Sequence, residues 1–185
     1  MSIEQLAVYH CAPVLSGIKP SNIVTCDKSK IKSIHTQIDA LKKELSGKNV
    51  TAEILFECER YILLIVYRPN QLRAYLSRAD VREFLRGQGY GGGTNIRKYL
   101  DILKSRIARN GDFPHEIGIF LGYPLADVVG FIKNGGRNCK MSGVWKVYDN
   151  VYEASCVFEK IEKCKKAYAK HFSMGRSLSQ LTAAG

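Results

Sequence analysis

The seven-residue apolar segment Tyr61–Tyr67 constrains the fold more than any other part of the chain. Its sequence, Tyr-Ile-Leu-Leu-Ile-Val-Tyr, is apolar at both odd and even positions, which predicts a strand buried on both faces. In the preceding segment, residues 52, 54, 56 and 58 are apolar and mostly alternate with polar ones, so they predict a half-buried strand. Glu59 and Arg60 then join the two strands as a hairpin.

Helical periodicity dominates most of the remaining chain. The clearest case is residues 31–45, where isoleucines and leucines recur at three- and four-residue steps and the helix ends near Gly47. The same reasoning predicts a helical stretch from Pro69 to about Arg86, and a helix from about residue 94 to 109 with Thr94 as its N-cap. It also predicts two short helices within residues 114–134 and a long helix over residues 151–172.

Three further extended segments are predicted at residues 6–10, 22–26 and 143–148. Pro13, Gly17 and Pro20 separate the first two of these, because proline and glycine interrupt helices. Together the elements predict one α+β domain over residues 1–185. It has a small, mainly antiparallel sheet of about four or five strands, covered by four or more helices.

Composition narrows the class of protein. The longest apolar run is far below the roughly 20 residues that a membrane-crossing helix needs, and the N-terminal residues lack the features of an export signal, so we expect a cytoplasmic protein. The six cysteines form no C-x-x-C pair, which argues against a zinc ribbon, a thioredoxin-type pair and a clustered iron–sulfur motif. We therefore expect reduced thiols and a fold that needs neither metal nor disulfides.

Three segments carry a resemblance to a known family. They are His10-Cys-Ala-Pro13 with Gly17-Ile-Lys-Pro20, the segment Phe113-Pro-His-Glu-Ile-Gly-Ile-Phe-Leu-Gly-Tyr-Pro124, and Trp145-Lys-Val-Tyr148. On these segments the chain resembles, over nearly its whole length, the uncharacterised bacterial family catalogued as domain-of-unknown-function family 3793. The resemblance implies no activity, and the triplet Gly91–Gly93 looks like a local feature of this sequence.

The leading functional hypothesis is a ligand-binding or catalytic site centred on cysteine and histidine. Cys11 is the candidate nucleophile. A thiolate needs a nearby base or cation, and His115, with Glu116 beside it, could be a base that the fold brings to Cys11. Cys11 is placed at the end of the N-terminal strand, with its side chain directed toward residues 113–123. Distributed binding of zinc, iron or haem by Cys11, His115 and Cys139 is chemically reasonable, although no spacing motif supports it. The alternative is that Cys11 is a small core residue.

The alternative functional hypothesis is a module that binds a phosphate-bearing small molecule or nucleic acid. The net charge of the chain is +11, and residues 68–109 hold ten Lys or Arg against three acids, a local charge of +7. Because guanidinium groups, loop amides and helix N-termini all favour phosphate, the basic helix and the glycine-rich loop after it predict an anion cradle. Its residues are Arg78, Arg82, Arg86, Gly91, Gly92, Gly93, Thr94 and Arg97. A solvated basic face is the competing interpretation, since the loop lacks the phosphate-loop pattern.

Residues 116–131 have the spacing of a helix-turn-helix. The second helix of that segment offers few side chains that could donate to bases or phosphates. A packed helical hairpin is therefore the better interpretation, and nucleic-acid binding would depend on the basic region. The sequence indicates no particular cofactor, substrate or oligomeric state.

Overall fold

The computed structural model describes residues 2–111 and 113–184. Its helices and strands follow one another along the chain as α1 (Ile3–Leu15), β1 (Ser21–Asp27), α2 (Ile34–Leu45), β2 (Thr51–Glu57), β3 (Tyr61–Tyr67), α3 (Pro69–Leu76), α4 (Ala79–Gly87), α5 (Ile96–Asn110), α6 (Ile117–Phe120), α7 (Leu125–Asn134), β4 (Met141–Ser142), β5 (Lys146–Val147), α8 (Val151–Ser173) and α9 (Leu178–Leu181). None of the helices in the described ranges is long and apolar enough to cross a membrane.

The chain separates into two compact units. The first unit combines Met1–Gln71 with Ile161–Gly185, and the second unit is Leu72–Lys160. The second unit is thus inserted, in sequence, between the two parts of the first. A single domain over residues 1–185 stays a prediction.

The first unit is built on a three-stranded antiparallel sheet in the order β1-β3-β2. The hairpin of β2 and β3 is confirmed, and β3 is the central strand, with Ile62–Tyr67 buried as the apolar run predicts. The alternation in β2 is interrupted by a bulge between Ile54 and Phe56, which buries Leu55 instead. Helices α1 and α2 pack against this sheet, and their apolar side chains complete the core.

The strand predicted at residues 6–10 is wrong, because these residues belong to α1. Ser2 and Gln5 form a capping box at the start of that helix, which satisfies backbone N–H groups that a helix start leaves unpaired. Pro13 lies within the last turn, where it removes a hydrogen bond without ending the helix at once. Cys11 consequently lies inside a helix and not at the end of a strand.

The side chain of Arg68 caps the C-terminal end of α1. Its guanidinium donates hydrogen bonds to the carbonyl oxygens of Val14 at 2.6 Å, Leu15 at 2.6 Å and Ala183 at 2.8 Å. Carbonyl groups at a helix end have no partner within the helix, so this buried cation replaces the missing donors. Burial lowers the pKa of Arg68. Leu178 and Leu181 of α9, a helix that the sequence analysis missed, lie in the same core.

The second unit is mainly helical and contains the two-residue strands β4 and β5, which pair with each other as a separate sheet. The strand predicted at residues 143–148 is therefore shorter than expected. The α+β class and the small antiparallel sheet are confirmed, but the described strands form sheets of three and two, not one sheet of four or five. The two short helices predicted within residues 114–134 are present as α6 and α7.

Two helix boundaries in the second unit differ from the prediction. The helical stretch 69–86 is broken into α3 and α4, with Arg78 in a non-helical conformation (ψ 140°) at the break. The N-cap of α5 is Asn95, not Thr94, because the Asn95 side chain accepts hydrogen bonds from the backbone N–H groups of Arg97 and Lys98. Asparagine is at least as good an N-cap as threonine.

Candidate functional site

A cavity of about 500 Å³ lies within the second unit, and we call it the aromatic cavity. It is formed by the segment before α6, by α6 and α7, and by the β4–β5 hairpin. The described residues that line it are Phe113, Pro114, His115, Ile117, Gly118, Tyr123, Asp127, Val128, Phe131, Ser142, Gly143, Val144, Trp145 and Lys146. Its size and its largely apolar lining with a few polar groups are typical of small-molecule sites.

Trp145 is fixed in this cavity by a buried carboxylate. Asp127, in the first turn of α7, is only 3% exposed. One of its oxygens, Oδ2, accepts a hydrogen bond from Trp145 Nε1 at 2.7 Å, while Oδ1 accepts from the backbone N–H groups of Tyr148 at 2.7 Å and Asp149 at 3.0 Å. A buried carboxylate is tolerated when donors surround it, and here those donors come from the hairpin. Asp127 therefore sets both the indole orientation and the position of β5.

Packing against other rings holds the indole in place. The ring of Tyr123 stacks on Trp145 with centroids 5.0 Å apart and planes 28° apart, and Phe158 of α8 meets Trp145 at 4.5 Å and 82°. Both arrangements are among the favoured geometries of aromatic pairs. The tight fit needs glycine at position 143, because a Cβ atom there would lie 2.2 Å from Phe158 Cε2. The hairpin thus approaches α8 closely enough for Phe158 to reach the indole.

Glycine is also required at position 118 on the α6 side. A Cβ atom on Gly118 would lie 2.8 Å from Val128 Cγ2 and 3.2 Å from Tyr123 Cδ2. The absent side chain lets α6 lie close to α7, so Tyr123 and Val128 can both face the cavity.

His115, Phe131 and Lys146 form another wall of the cavity. The rings of His115 and Phe131 have centroids 5.4 Å apart, and Lys146 Nζ lies 5.9 Å from the Phe131 centroid. Lys146 Nζ donates a hydrogen bond to the Gly136 carbonyl oxygen at 2.5 Å, just after the end of α7. No residue in the described ranges forms a hydrogen bond with the His115 ring, which lines the cavity.

Glu116, which was predicted to act beside His115 in catalysis, is already paired with other side chains. It is 5% exposed, accepts a hydrogen bond from the Tyr90 hydroxyl at 3.0 Å and forms an ion pair with Arg106. Arg106 also donates to the Gln88 carbonyl oxygen and lies over the Tyr90 ring at 4.6 Å. Burial, followed by the Glu116 charge, raises the pKa of Tyr90. This cluster ties α4, α5 and α6 together.

Cys11 is fully buried in the first unit, whereas His115 and Cys139 belong to the second. Burial raises the pKa of the Cys11 thiol to about 12, although the charge of Lys19 opposes this shift. A thiol in such surroundings is a weak nucleophile. Lys19 is itself 6% exposed, and burial lowers its pKa to about 8. The catalytic roles of Cys11, His115 and Glu116 stay predictions, and the surroundings of Cys11 favour a packing role.

The predicted anion cradle lies on exposed residues. Arg82 and Arg86 lie one turn apart in α4, but Arg78 is paired with Asp80 at 2.7 Å. Arg82 Nη2 donates to the Gly92 carbonyl oxygen at 3.3 Å, so the arginine contacts the loop itself. Residues Gly91, Gly92, Gly93, Thr94 and Arg97 are exposed. Since Asn95 already accepts two N–H groups of α5, fewer amides remain for phosphate. Anion binding by this region stays a prediction.

Within the described ranges, no group of three or more His, Cys, Asp or Glu side chains is arranged to hold a metal ion. Sequence reasoning selected His115 but missed Trp145, Lys146, Asp127 and Phe131. The usable signal was the density of aromatic residues in segments 113–124 and 145–148, which supply most of the cavity lining.

Comparison with known proteins identifies a family and nothing closer. No curated protein and no solved structure matches the chain. Residues 7–182 match the model of the family described as "Protein of unknown function (DUF3793)". Because the match extends over nearly the whole sequence, the chain belongs to this family.

Proposed function

We propose that the protein binds a small ligand with a flat, largely apolar ring system in the aromatic cavity. The observation that carries the proposal is the convergence of four aromatic side chains and one imidazole on a single cavity of about 500 Å³. Rings of this kind offer large contact areas with few rotatable bonds, and they prefer stacked or edge-on partners. A flat ring system makes the best use of such walls.

The site is already shaped before a ligand arrives. Asp127, Tyr123 and Phe158 all hold the Trp145 indole, so little side-chain freedom remains to be lost on binding. Preorganisation of this kind increases affinity because the entropy of ordering the site is lost on folding. Binding is favoured over catalysis, because the His115 ring has no hydrogen-bonded partner among the described side chains to orient it as a base.

The predicted cytoplasmic location forms part of this proposal, and so does a small-molecule partner. The sequence hypothesis of a site centred on cysteine and histidine is retained for histidine alone, because His115 lines the cavity. Cys11 belongs to the first unit and is not among the described residues that line the cavity.

Intrinsic fluorescence tests the proposal directly, because Trp145 is the single tryptophan of the chain. Planar probes that absorb little near 295 nm, such as adenosine and nicotinamide, should quench or shift its emission saturably and raise the melting temperature. Replacing the exposed Ser142 at the cavity wall, Ser142→Phe, should block binding while leaving the melting temperature of the free protein nearly unchanged.

Tyr152→Ala is the matched control for this experiment. Tyr152 is 79% exposed, belongs to the same unit and does not line the cavity, so its removal should leave binding intact. Phe131→Ala should weaken binding at least tenfold. The proposal is refuted if the panel of planar probes gives no saturable response, or if Ser142→Phe and Phe131→Ala bind as tightly as the unmodified protein.

A further inference from the structure

Resting on the proposed function, we infer that the ligand of the aromatic cavity carries an anionic substituent, a carboxylate or a phosphate, that pairs with Lys146. Such a ligand is a planar ring system with a negative charge at its edge. Two charged side chains lie among the described residues that line the cavity, Lys146 and Asp127, and they differ in how fully other groups already pair them.

Lys146 is the one lysine or arginine among the described lining residues. An ammonium group has three N–H donors, and the Gly136 carbonyl oxygen accepts one of them. That hydrogen bond also anchors the flexible side chain against the wall formed by Phe131. A second and a third donor therefore remain for a ligand, on a group whose position is already restricted.

Asp127 is the acidic residue of the lining, and its charge must be weighed against that of Lys146. Its carboxylate is 3% exposed and accepts hydrogen bonds from one indole and two backbone N–H groups. Those three donors face the negative charge and offset much of its field. Lys146 is exposed, so a ligand entering the cavity meets the positive charge directly.

A cationic ligand is the main rival, because aromatic cages also bind quaternary ammonium groups through the ring faces. Lys146 opposes that choice, since its own ammonium already lies against the Phe131 ring. A ligand cation placed on the same ring would lie close to the Lys146 ammonium, and like charges at close range repel. An anionic group at the edge of the ligand would pair with Lys146, while the ring system of the ligand contacts the aromatic side chains of the cavity. Each charged side chain of the described lining then has a partner.

Isothermal titration calorimetry with four naphthalene probes of nearly equal shape tests the inference. They are 2-naphthoate, 2-naphthyl phosphate, 2-naphthamide and 2-naphthylmethylammonium. We expect either anion to bind about fivefold tighter than the amide, which is the size of effect that a partly exposed ion pair supplies. The ammonium probe should bind most weakly. The better of the two anions distinguishes a carboxylate ligand from a phosphate ligand.

Three variants assign the preference to Lys146. Lys146→Met should bind the anions and the amide equally, and Lys146→Arg should keep the preference. Lys133→Met removes the same charge from an exposed position on α7 outside the cavity and should behave like the unmodified protein. The indole N–H resonance of Trp145 should shift with each bound probe, which places the probe in the cavity.

Failure of the inference and failure of the proposed function look different in this experiment. If the amide or the ammonium probe binds as tightly as the anions and shifts the Trp145 resonance, the cavity binds flat ligands but the anionic class is wrong. If no probe binds or shifts that resonance, both the inference and the proposed function are overturned. If Lys133→Met abolishes the preference as fully as Lys146→Met, general surface charge explains it and the inference is overturned.

Discussion

The substitution Asp127→Asn, which exchanges one carboxylate oxygen for an NH2 group, should loosen the aromatic cavity. Asparagine can keep its carbonyl oxygen toward the two backbone N–H groups of Tyr148 and Asp149, where Asp127 Oδ1 lies 2.7 and 3.0 Å away. Its amide nitrogen then occupies the position of Oδ2 and faces the N–H of Trp145, so two donors point at each other. The opposite orientation would place the amide against both backbone donors and is worse.

The expected loss combines two terms. A buried donor left without an acceptor costs about 1–3 kcal/mol, and hydrogen bonds to a charged group contribute about 1.5–3 kcal/mol each. We therefore expect Asp127→Asn to lower the free energy of unfolding by roughly 2–4 kcal/mol. The Trp145 emission should also move to longer wavelength, because the indole is released toward water.

A double-mutant cycle separates the Asp127–Trp145 link from general damage. Trp145→Phe removes the indole N–H that would face the amide NH2 group in Asp127→Asn. The double variant should therefore be more stable than the sum of the single changes predicts, by about 1–2 kcal/mol. Urea unfolding followed by far-ultraviolet circular dichroism works for all four proteins, including those without tryptophan. Asp149→Asn, at an exposed neighbouring position, is the matched control and should be nearly neutral. Strict additivity of the two changes, or an Asp127→Asn protein as stable as the control, would refute the reasoning.

Two further predictions concern the first unit. In the folded protein the pKa of Lys19 is about 8, below its ordinary value of 10.5, so the unfolded chain binds more protons and the free energy of unfolding should rise by about 1 kcal/mol between pH 7 and pH 8.5. Urea unfolding at several pH values should show this rise in the unmodified protein and not in Lys19→Met. The same dependence of stability on pH in both proteins would contradict the prediction. Cys11, fully buried and with a pKa raised to about 12, should react with iodoacetamide more slowly than the partly exposed Cys58 and Cys139, as measured by mass-spectrometric mapping of folded and denatured protein. Faster labelling of Cys11, slowed again in His115→Ala, would instead support the catalytic prediction.

Local pattern was sufficient to predict the elements whose periodicity is strong. The run Tyr61–Tyr67 and the helical stripe over residues 31–45 appear as a central strand and as α2. The N-terminal helix was misjudged because a short apolar segment with a proline fits either element. What distinguishes them is the capping box of Ser2 and Gln5. That signal lies before the apolar residues rather than within them.

The candidate site was less accessible to sequence reasoning, because its defining contacts join distant residues. The hydrogen bond between Asp127 and Trp145 spans 18 positions along the chain, and no local pattern connects an acid in a helix with an indole in a turn. His115 was found because histidine is a chemically conspicuous residue. Lys146 and Phe131 were not, since a lone lysine and a helical phenylalanine usually mean a solvated surface and a core.

The order in which the first unit is assembled has a consequence for synthesis on the ribosome. Its core includes Leu178 and Leu181, and Arg68 reaches the carbonyl oxygen of Ala183. The inserted unit, Leu72–Lys160, emerges after Arg68 but before Leu178, Leu181 and Ala183. Because compact units fold as they are released, the nascent chain passes through a stage in which the later-encoded unit can be native while the earlier-encoded part of the first unit still lacks the core residues Leu178 and Leu181. Chaperones that recognise exposed apolar surface would meet the faces of α1 and α2 on which α9 later packs.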